Sequence, residues 1–264
     1  MNLVSCVIPY YNGGDTIARA IDSVVGNPYC LELIIVSDGS PESLLPNLTQ
    51  THQEYLKKGK LRIVQLDSNH GQAAARNIGV SISRGVYLSF LDQDDMYLPG
   101  FYEMSVNFLE DNPQLAAVEF GAEFVQDGKI VLDESDPRYF AAINSVPWNI
   151  VVRRNVFWAC GAFPVGAEFR TKSAGEDIAF KSILKHLYAG TSFSDKFVRH
   201  YIRTDSATDR FLKGTKVVDG AIISTNPNAD DDNMAQAHET HKKWVIDSLR
   251  AERILSLNPG VLTN

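Results

Sequence analysis

Four short apolar runs, each followed by polar turn residues, dominate the first hundred positions of the chain. The runs are residues 3–10, 31–36, 61–66 and 86–91. They are short, continuous and rich in branched aliphatic residues, as buried strands are. The segments between them carry apolar residues at helical spacing, as with Ile17, Ile21 and Val24. Strands and helices therefore alternate, which predicts an α/β fold with a mainly parallel central sheet flanked by helices.

Capping residues predict where the first helices begin. Asp15 is expected to cap a helix over 16–25. Ser40 followed by Pro41 predicts a second helix start, because serine caps well and proline fits the first helical position. The small residues after Gly71 predict a helix that starts close to the sheet and carries Arg76 about one turn inside it.

Residues 99–223 are expected to mix helices with shorter strands. Strands are predicted within 115–125, over 129–132 and over 193–202, helices over 99–110 and 175–187, and a strand followed by a short helix over 149–160. The polar residues 133–140 are expected to form an irregular loop.

The composition of the chain changes after residue 223. Residues 224–234 are acidic and rich in turn formers, which predicts a linker, and 235–255 predict a helix. Its apolar residues include Trp244, Leu249 and Ile254, and they can pack on the domain or on a second copy of the chain. We therefore expect a domain over 1–223, a linker over 224–234 and a C-terminal helix and tail over 235–264, with a homodimer through this helix as an open possibility.

Charge and composition narrow the function classes. The net charge of −7 argues against a nucleic-acid partner. The three cysteines are widely spaced and suit a reducing compartment. No apolar stretch reaches the length of a transmembrane segment, and no basic leader precedes an apolar region. A cytoplasmic protein is expected, with peripheral attachment to a membrane still open.

A cluster of carboxylates follows the fourth apolar run directly. Asp92, Asp94 and Asp95 stand where a buried strand ends, and ligands of open α/β sheets bind at such ends. Two carboxylates held close together repel each other unless a cation lies between them. Oxygen ligands of this kind favour Mg²⁺ or Mn²⁺. The alternative is a solvated acidic loop.

Two further strand ends carry candidate ligand-binding residues. Asp38 ends the second strand and can accept from a nucleobase N–H, or it can be a turn residue before Gly39. Tyr11 follows the first strand and can stack on a base, or it can be an aromatic residue at the edge of the core. Arg76 offers the planar fork that a diphosphate requires, or it is an ordinary surface helix residue.

Glu176 and Asp177 lie at the predicted start of a helix. Carboxylates there interact favourably with the helix dipole, which is reason enough for them to be present. One of them can also take a proton from an acceptor hydroxyl if it lies within hydrogen-bond reach. Trp148 can be a stacking platform for a sugar, although a core tryptophan is the commoner case.

Several segments together resemble one family. In chain order they are Val7-Ile8-Pro9-Tyr10-Tyr11-Asn12, Val36-Ser37-Asp38-Gly39-Ser40, Asn69-His70-Gly71 with Ala75-Arg76-Asn77-Ile78-Gly79, Leu91-Asp92-Gln93-Asp94-Asp95, and Gly175-Glu176-Asp177. As a set, over about residues 1–210, they resemble the inverting family-2 glycosyltransferases of the GT-A fold. By this resemblance, 1–98 form the nucleotide-sugar half and 99–223 the acceptor half.

The resemblance implies a metal-dependent, inverting hexosyltransferase-type reaction. A nucleoside-diphosphate sugar, first of all a UDP-sugar, would donate its sugar to a hydroxyl of a saccharide or lipid-linked acceptor in polysaccharide, glycolipid or glycoconjugate synthesis. The implied site residues are Pro9, Tyr11 and Asp38 for the nucleobase, Arg76 near the nucleotide, Asp92 at the ribose and metal shell, Asp94 on Mn²⁺ or Mg²⁺, Asp177 as the base, and Glu176 as the second choice of base.

Two departures from the family pattern bear on the site. Many relatives carry an aspartate where this chain has Ser37, and many carry a histidine near the position of Arg203 or Thr204. His200 lies a few residues earlier, so contacts of this segment with the leaving group stay open. The rival functions are a non-catalytic nucleotide-sugar-binding protein and a nucleotidyltransferase. The latter would be expected to carry a basic residue in its glycine-rich loop, which Gly13-Gly14-Asp15 lacks.

Overall fold

The structure is a computed structural model that describes residues 3–14, 16–170, 175–225 and 229–251, without the side chains of 47, 229–234 and 251. The described strands are β1 (Val4–Tyr10), β2 (Cys30–Ser37), β3 (Leu61–Gln65), β4 (Tyr87–Phe90), β5 (Met96–Tyr97), β6 (Ala117–Gln126), β7 (Lys129–Leu132), β8 (Ile150–Arg153), β9 (Gly190–Tyr201), β10 (Thr215–Val218) and β11 (Ala221–Ser224). The described α-helices are α1 (Thr16–Val25), α2 (Gln50–Lys57), α3 (Gln72–Ser81), α4 (Phe101–Asp111), α5 (Pro137–Asn144), α6 (Arg154–Ala159), α7 (Glu176–Leu187), α8 (Ala207–Gly214) and α9 (Ala229–Ala251).

The central sheet has the strand order β3-β2-β1-β4-β8-β6-β9-β5, and β7 pairs with β6. The first four strands of this order are parallel, as the sequence predicts. From β8 onward most pairings of the described strands are antiparallel, whereas β6 and β9 pair in parallel. The fold is therefore α/β, with a parallel N-terminal half whose strand ends meet at one edge of the sheet.

Both faces of the sheet are covered, so β1 buries side chains in two directions. Cys6 and Ile8 belong to the core on the side of α1, whereas Val7 points into the core on the side of α3. Helix α3 lies very close to the sheet at Gly79, because a Cβ there would stand only 2.4 Å from Val7 Cγ1. The small residues of this segment therefore do allow the close approach that the sequence predicts.

The helix start predicted at Ser40 and Pro41 is wrong. The Ser40 hydroxyl instead accepts a hydrogen bond from the Asn12 backbone N–H at 2.9 Å, which ties the turn after β2 to the turn after β1. The next α-helix, α2, begins nine residues later in the chain and is capped by Thr49, whose side chain accepts from His52 N–H. Asp15, the predicted cap of α1, lies outside the described residues.

The loop predicted over 133–140 is in part a helix. Helix α5 begins at Pro137, and the Asp136 side chain caps it by accepting from Arg138 N–H at 2.9 Å. Aspartate before proline is a standard helix-start signal, so the sequence carried the information and the polar composition obscured it. Helix α8 and the β10–β11 hairpin were not predicted either.

Helix α9 begins at Ala229, inside the stretch predicted to be a linker. Val245, Ile246 and Leu249 are buried in the core that also contains α6 and α7, so the apolar face of α9 packs on its own domain. Trp244 points outward and is 61% exposed, and Ile254 lies outside the described residues. None of the helices described here combines the length and the apolar character that crossing a bilayer requires.

Candidate active site

Hydrogen bonds join the turns that follow β1, β2 and β4 into one unit. The Gln93 side chain accepts from Tyr11 N–H at 2.8 Å and donates to the Tyr11 carbonyl at 3.0 Å. Asp38 N–H donates to the Tyr10 carbonyl at 2.8 Å. Three of the predicted site segments therefore share one edge of the sheet and hold each other in place.

Asp38 is almost fully buried and organises the loop that leads into α3. Its two carboxylate oxygens accept from the backbone N–H groups of His70, at 2.7 Å, and Gly71, at 2.8 Å. A carboxylate oxygen has room for a second donor, so contact with a nucleobase stays a prediction. Tyr11 is 46% exposed beside it, and Pro9 is half-buried near the end of β1.

Arg76 brings the two halves of the predicted site together. Its guanidinium donates to Asp92 through Nη2 and to Asp177 through Nη1, each at 2.8 Å. Glu176 Oε1 lies 3.5 Å from the same Nη1. Although burial opposes the charge, these three carboxylates raise the pKa of Arg76 above its ordinary value. Arg76 is a fully buried ion-pair residue, and its proximity to a nucleotide stays a prediction.

Glu176 and Asp177 differ in how much of each carboxylate is already occupied. Glu176 is 1% exposed, and its oxygens accept from Gln72 Nε2, at 2.5 Å, and from Gly175 N–H, at 3.0 Å. The Asp177 side chain is 13% exposed, and only its Oδ1 has a described hydrogen bond, to Arg76. Burial raises the pKa of Asp177 above its usual range, with Arg76 opposing and Glu176 adding to the shift. A carboxylate with a raised pKa is suited to general-base work near neutral pH.

Asp94 lies between two arginines that the nucleotide-sugar motifs do not include. Arg203 Nη2 is 2.5 Å from Asp94 Oδ2, and Arg19 Nη2 donates to the Asp94 carbonyl at 2.6 Å. Burial, followed by the charges of Asp95 and Asp92, raises the pKa of Asp94 to about 6. The guanidinium of Arg203 supplies a positive charge beside this carboxylate and opposes that shift.

Asp95 and His200 form a buried pair behind Asp94. Asp95 accepts from Tyr201 N–H at 3.0 Å, and its other oxygen lies 2.8 Å from His200 Nδ1. The second ring nitrogen of His200 is 3.0 Å from the Thr208 hydroxyl, and the ring stacks on Trp148. His200 therefore anchors the end of β9 to the acidic turn, and the buried Trp148 belongs to the core.

The protein residues fit a divalent ion only if a bound substrate supplies some of the ligands. No group of three or more histidine, cysteine or carboxylate side chains within the described residues could hold a metal by itself. Asp94, with Asp92 close enough to affect its ionisation, supplies one or two carboxylates. Mg²⁺-type ions are commonly bound by that many carboxylates together with substrate phosphates. The donor set suits an ion that a bound diphosphate would complete.

Three residues of this network were given no role by the sequence analysis. Gln72 lies one helical turn before Arg76, and that i, i+4 spacing is the signal that could have identified it. Gln93 lies inside the acidic motif but was given no role. Arg19 stands on α1 with no local signal, because its contact with Asp94 joins residues 75 positions apart.

Comparisons with known proteins identify the family of this chain. The sequence model of Glycosyl transferase family 2 matches residues 5–164. The succinoglycan biosynthesis protein ExoU of Rhizobium meliloti (strain 1021) is 29% identical over 152 residues, which are 56% of this chain and 43% of that protein. The putative glycosyltransferase EpsH of Bacillus subtilis (strain 168) is 28% identical over 240 residues, which are 84% of this chain and 67% of that protein.

Solved structures share the fold. The crystal structure of S. aureus TarS 1-349 in complex with UDP-GlcNAc has a TM-score of 0.61 at 20% identity, and the match covers 76% of this chain and 59% of that one. The chain thus spans between two fifths and two thirds of these relatives. Because the family model matches more than half of the chain, the protein belongs to glycosyl transferase family 2.

Proposed function

We propose that this chain transfers a sugar from a nucleoside-diphosphate sugar, first of all a UDP-sugar, to an acceptor hydroxyl with inversion at the anomeric carbon. The observation that supports it best is the Arg76 bridge between Asp92, on the donor side, and Asp177, on the acceptor side, with both contacts at 2.8 Å. The UDP-GlcNAc bound to the structurally similar TarS supports the donor class, and the name of ExoU supports polysaccharide synthesis.

The donor would lie at the edge formed by the turns after β1, β2 and β4. Pro9, Tyr11 and Asp38 would hold the nucleobase, and Tyr11 has the exposed ring that stacking needs. Asp92 would face the ribose, and Asp94 would hold Mn²⁺ or Mg²⁺. When bound, such an ion stabilises the negative charge of the departing nucleoside diphosphate. Arg203, exposed beside Asp94, would contact the same phosphates.

Asp177 would act as the base. Its Oδ1 is bound by Arg76, which leaves Oδ2 to take the proton of the acceptor hydroxyl as the new glycosidic bond forms. Glu176 would support the helix start instead, since both of its oxygens already have partners. Arg76 would serve the donor indirectly by orienting Asp92.

The acceptor would be a saccharide or a lipid-linked saccharide. A lipid-linked acceptor would bring the chain to a membrane surface from the cytoplasmic side. A homodimer through α9 would have to use its outward surface around Trp244, because Val245, Ile246 and Leu249 are buried within the domain.

A thermal-shift screen over nucleotide sugars with Mn²⁺ or Mg²⁺, followed by transfer assays, tests the proposal. We expect one UDP-sugar to raise the midpoint of unfolding only when the ion is present, and Asp94→Asn to lose that shift. At 100 times the dissociation constant, the ligand adds about 2.7 kcal/mol to the free energy of unfolding. Metal-dependent binding with no transfer or hydrolysis on any acceptor would support the binding-protein alternative.

A further inference from the structure

Arg76 is placed differently from a residue that binds a diphosphate. Its side chain has no exposure to solvent, and both terminal nitrogens are already bound to protein carboxylates. The ring of Phe163 lies 5.5 Å from the guanidinium carbon. Nε is buried and has no hydrogen-bond partner among the residues that the structure describes. A donor could reach this guanidinium only if the packing around it opened.

The carboxylates around Arg76 come from both halves of the site. Asp92 follows β4, and Glu176 and Asp177 begin α7, so one cation is shared by three acids. Without it, these acids would repel one another in a buried place, and at least one would bind a proton. Asp177 depends most on Arg76, because Glu176 has two other described partners and the Asp92 side chain is more exposed, at 29% against 13% for Asp177.

We propose that Arg76 is a positioning residue that keeps Asp177 ionised and fixes Oδ1, so that Oδ2 faces the acceptor hydroxyl. This inference rests on the proposed function and assigns Arg76 to the base, whereas the family resemblance places it near the nucleotide.

Among the described residues, no other cation near Asp177 can replace Arg76. In that part of the chain, the charged groups that act most strongly on Asp177 are Arg76 from α3, Asp92 from the acidic turn, and Glu176 and Lys181 from α7 itself. Lys181 is buried one turn along α7, where its ammonium lies 3.0 Å from Glu119 and donates to the carbonyls of Ile143 and Val146. Lys181 therefore anchors the helix and is committed elsewhere.

The test compares Arg76→Gln and Arg76→Lys in the full chain, using donor affinity from calorimetry and the pH dependence of kcat. With Arg76→Gln we expect donor Kd to change by less than about threefold, while kcat at pH 7 falls at least about 100-fold, the usual scale for a lost general base. The acid limb of the kcat profile should move to higher pH by about one unit or more. Arg76→Lys keeps a charge, so its limb should stay close to that of the wild type.

Arg154→Gln is the matched control. Arg154 is a partly buried arginine that donates to the carbonyls of Gly85 and Ser83, neither of which belongs to the proposed site. Its loss should lower stability and leave the pH profile of kcat in place. A shift of the profile in this variant as well would overturn the inference, since any buried arginine would then produce it.

Two other outcomes separate the inference from the function on which it rests. If Arg76→Gln weakens donor binding more than about tenfold and the acid limb does not move, Arg76 serves the donor and the inference is wrong. If Arg76→Gln does not fold, Arg76→Lys decides, because a loss in donor affinity with unchanged kcat contradicts the inference. If the wild type transfers no sugar from any donor, the proposed function fails first and the inference falls with it.

Discussion

Glu176 and Asp177 are adjacent in the chain, yet their carboxylates have different hydrogen-bond partners. Both Glu176 oxygens bind protein N–H groups, whereas Asp177 keeps one oxygen without a described partner. Residue type and position could be predicted from the sequence, since the motif placed both acids at the start of a helix. Their partners could not, because Gln72 and Arg76 are about a hundred residues away along the chain.

We expect Asp177→Asn to lose transfer by at least about 100-fold, because an amide cannot take the proton of the acceptor. Donor Kd should stay within about threefold of the wild type, since no donor contact is assigned to this side chain. Single-turnover transfer and calorimetry measure the two quantities. Glu176→Gln is the control and should retain more activity. Near-full transfer by Asp177→Asn would make the base assignment wrong.

At the scale of elements, the close approach between α3 and the sheet decides which substitutions the helix tolerates. We expect Gly79→Ala to lower the free energy of unfolding by about 1–3 kcal/mol, the usual range for overpacking. The reason is that its Cβ would stand 2.4 Å from Val7 Cγ1. Gly214→Ala is the matched control, because it ends a helix with nothing within 4 Å of its Cβ and should be neutral or stabilising. Equal effects of the two changes in urea denaturation would contradict this packing argument.

Glu32, near the start of β2, links several strands at the end of the sheet opposite the site. The buried Glu32 carboxylate accepts from the Ser5 hydroxyl, Arg62 and Arg84. Although burial opposes the shift, these hydrogen bonds lower the pKa of Glu32. Glu32 thereby joins β1, β2, β3 and the segment before β4.

We expect Glu32→Gln to lower the free energy of unfolding by about 1–2 kcal/mol at pH 7, as lost charge-assisted hydrogen bonds do. The folded pKa is below the unfolded value of about 4.3, so the contribution is present above that pH and disappears as pH falls through the folded pKa. Urea denaturation at several pH values should therefore show the difference from wild type narrowing below about pH 4. A difference independent of pH would mean that the loss comes from packing.

The elements that the sequence analysis did not predict are short. The first four strands, by contrast, are continuous apolar runs that can be recognised from the sequence alone. The hairpin strands β10 and β11 span only four residues each, and the carbonyl of Thr215 in β10 accepts from Arg138, 77 positions away. Such contacts join residues that are more than seventy positions apart and leave no local pattern.

For the whole molecule, the order β4-β8-β6-β9-β5 in the second half of the sheet could not be predicted from the sequence. Strand pairing there is set by packing between distant segments, as in the parallel pairing of β6 with β9. What could be predicted is that the strand ends of the first half meet at one edge. The contacts of Arg76 and Asp95 then attach the second half to that edge.

We expect a bound UDP-sugar with Mn²⁺ to slow amide hydrogen exchange in both halves, at 69–71 and at the start of α7. The amides of His70 and Gly71 bind Asp38, and α7 is tied to the donor side through Arg76. A tenfold slowing corresponds to about 1.4 kcal/mol of added local stability. The β10–β11 hairpin is the internal control. Slowing confined to one half would argue against a site shared by both.

The carboxylate of Asp38 has a practical meaning for attempts to redesign nucleotide preference. Because its hydrogen bonds hold the loop that leads into α3 and Arg76, its removal would disturb the proposed base Asp177 as well as any nucleobase recognition. A library of variants aimed at new donors should therefore keep Asp38 constant and vary Tyr11. The Tyr11 ring is exposed, so replacing it should leave the buried packing unchanged.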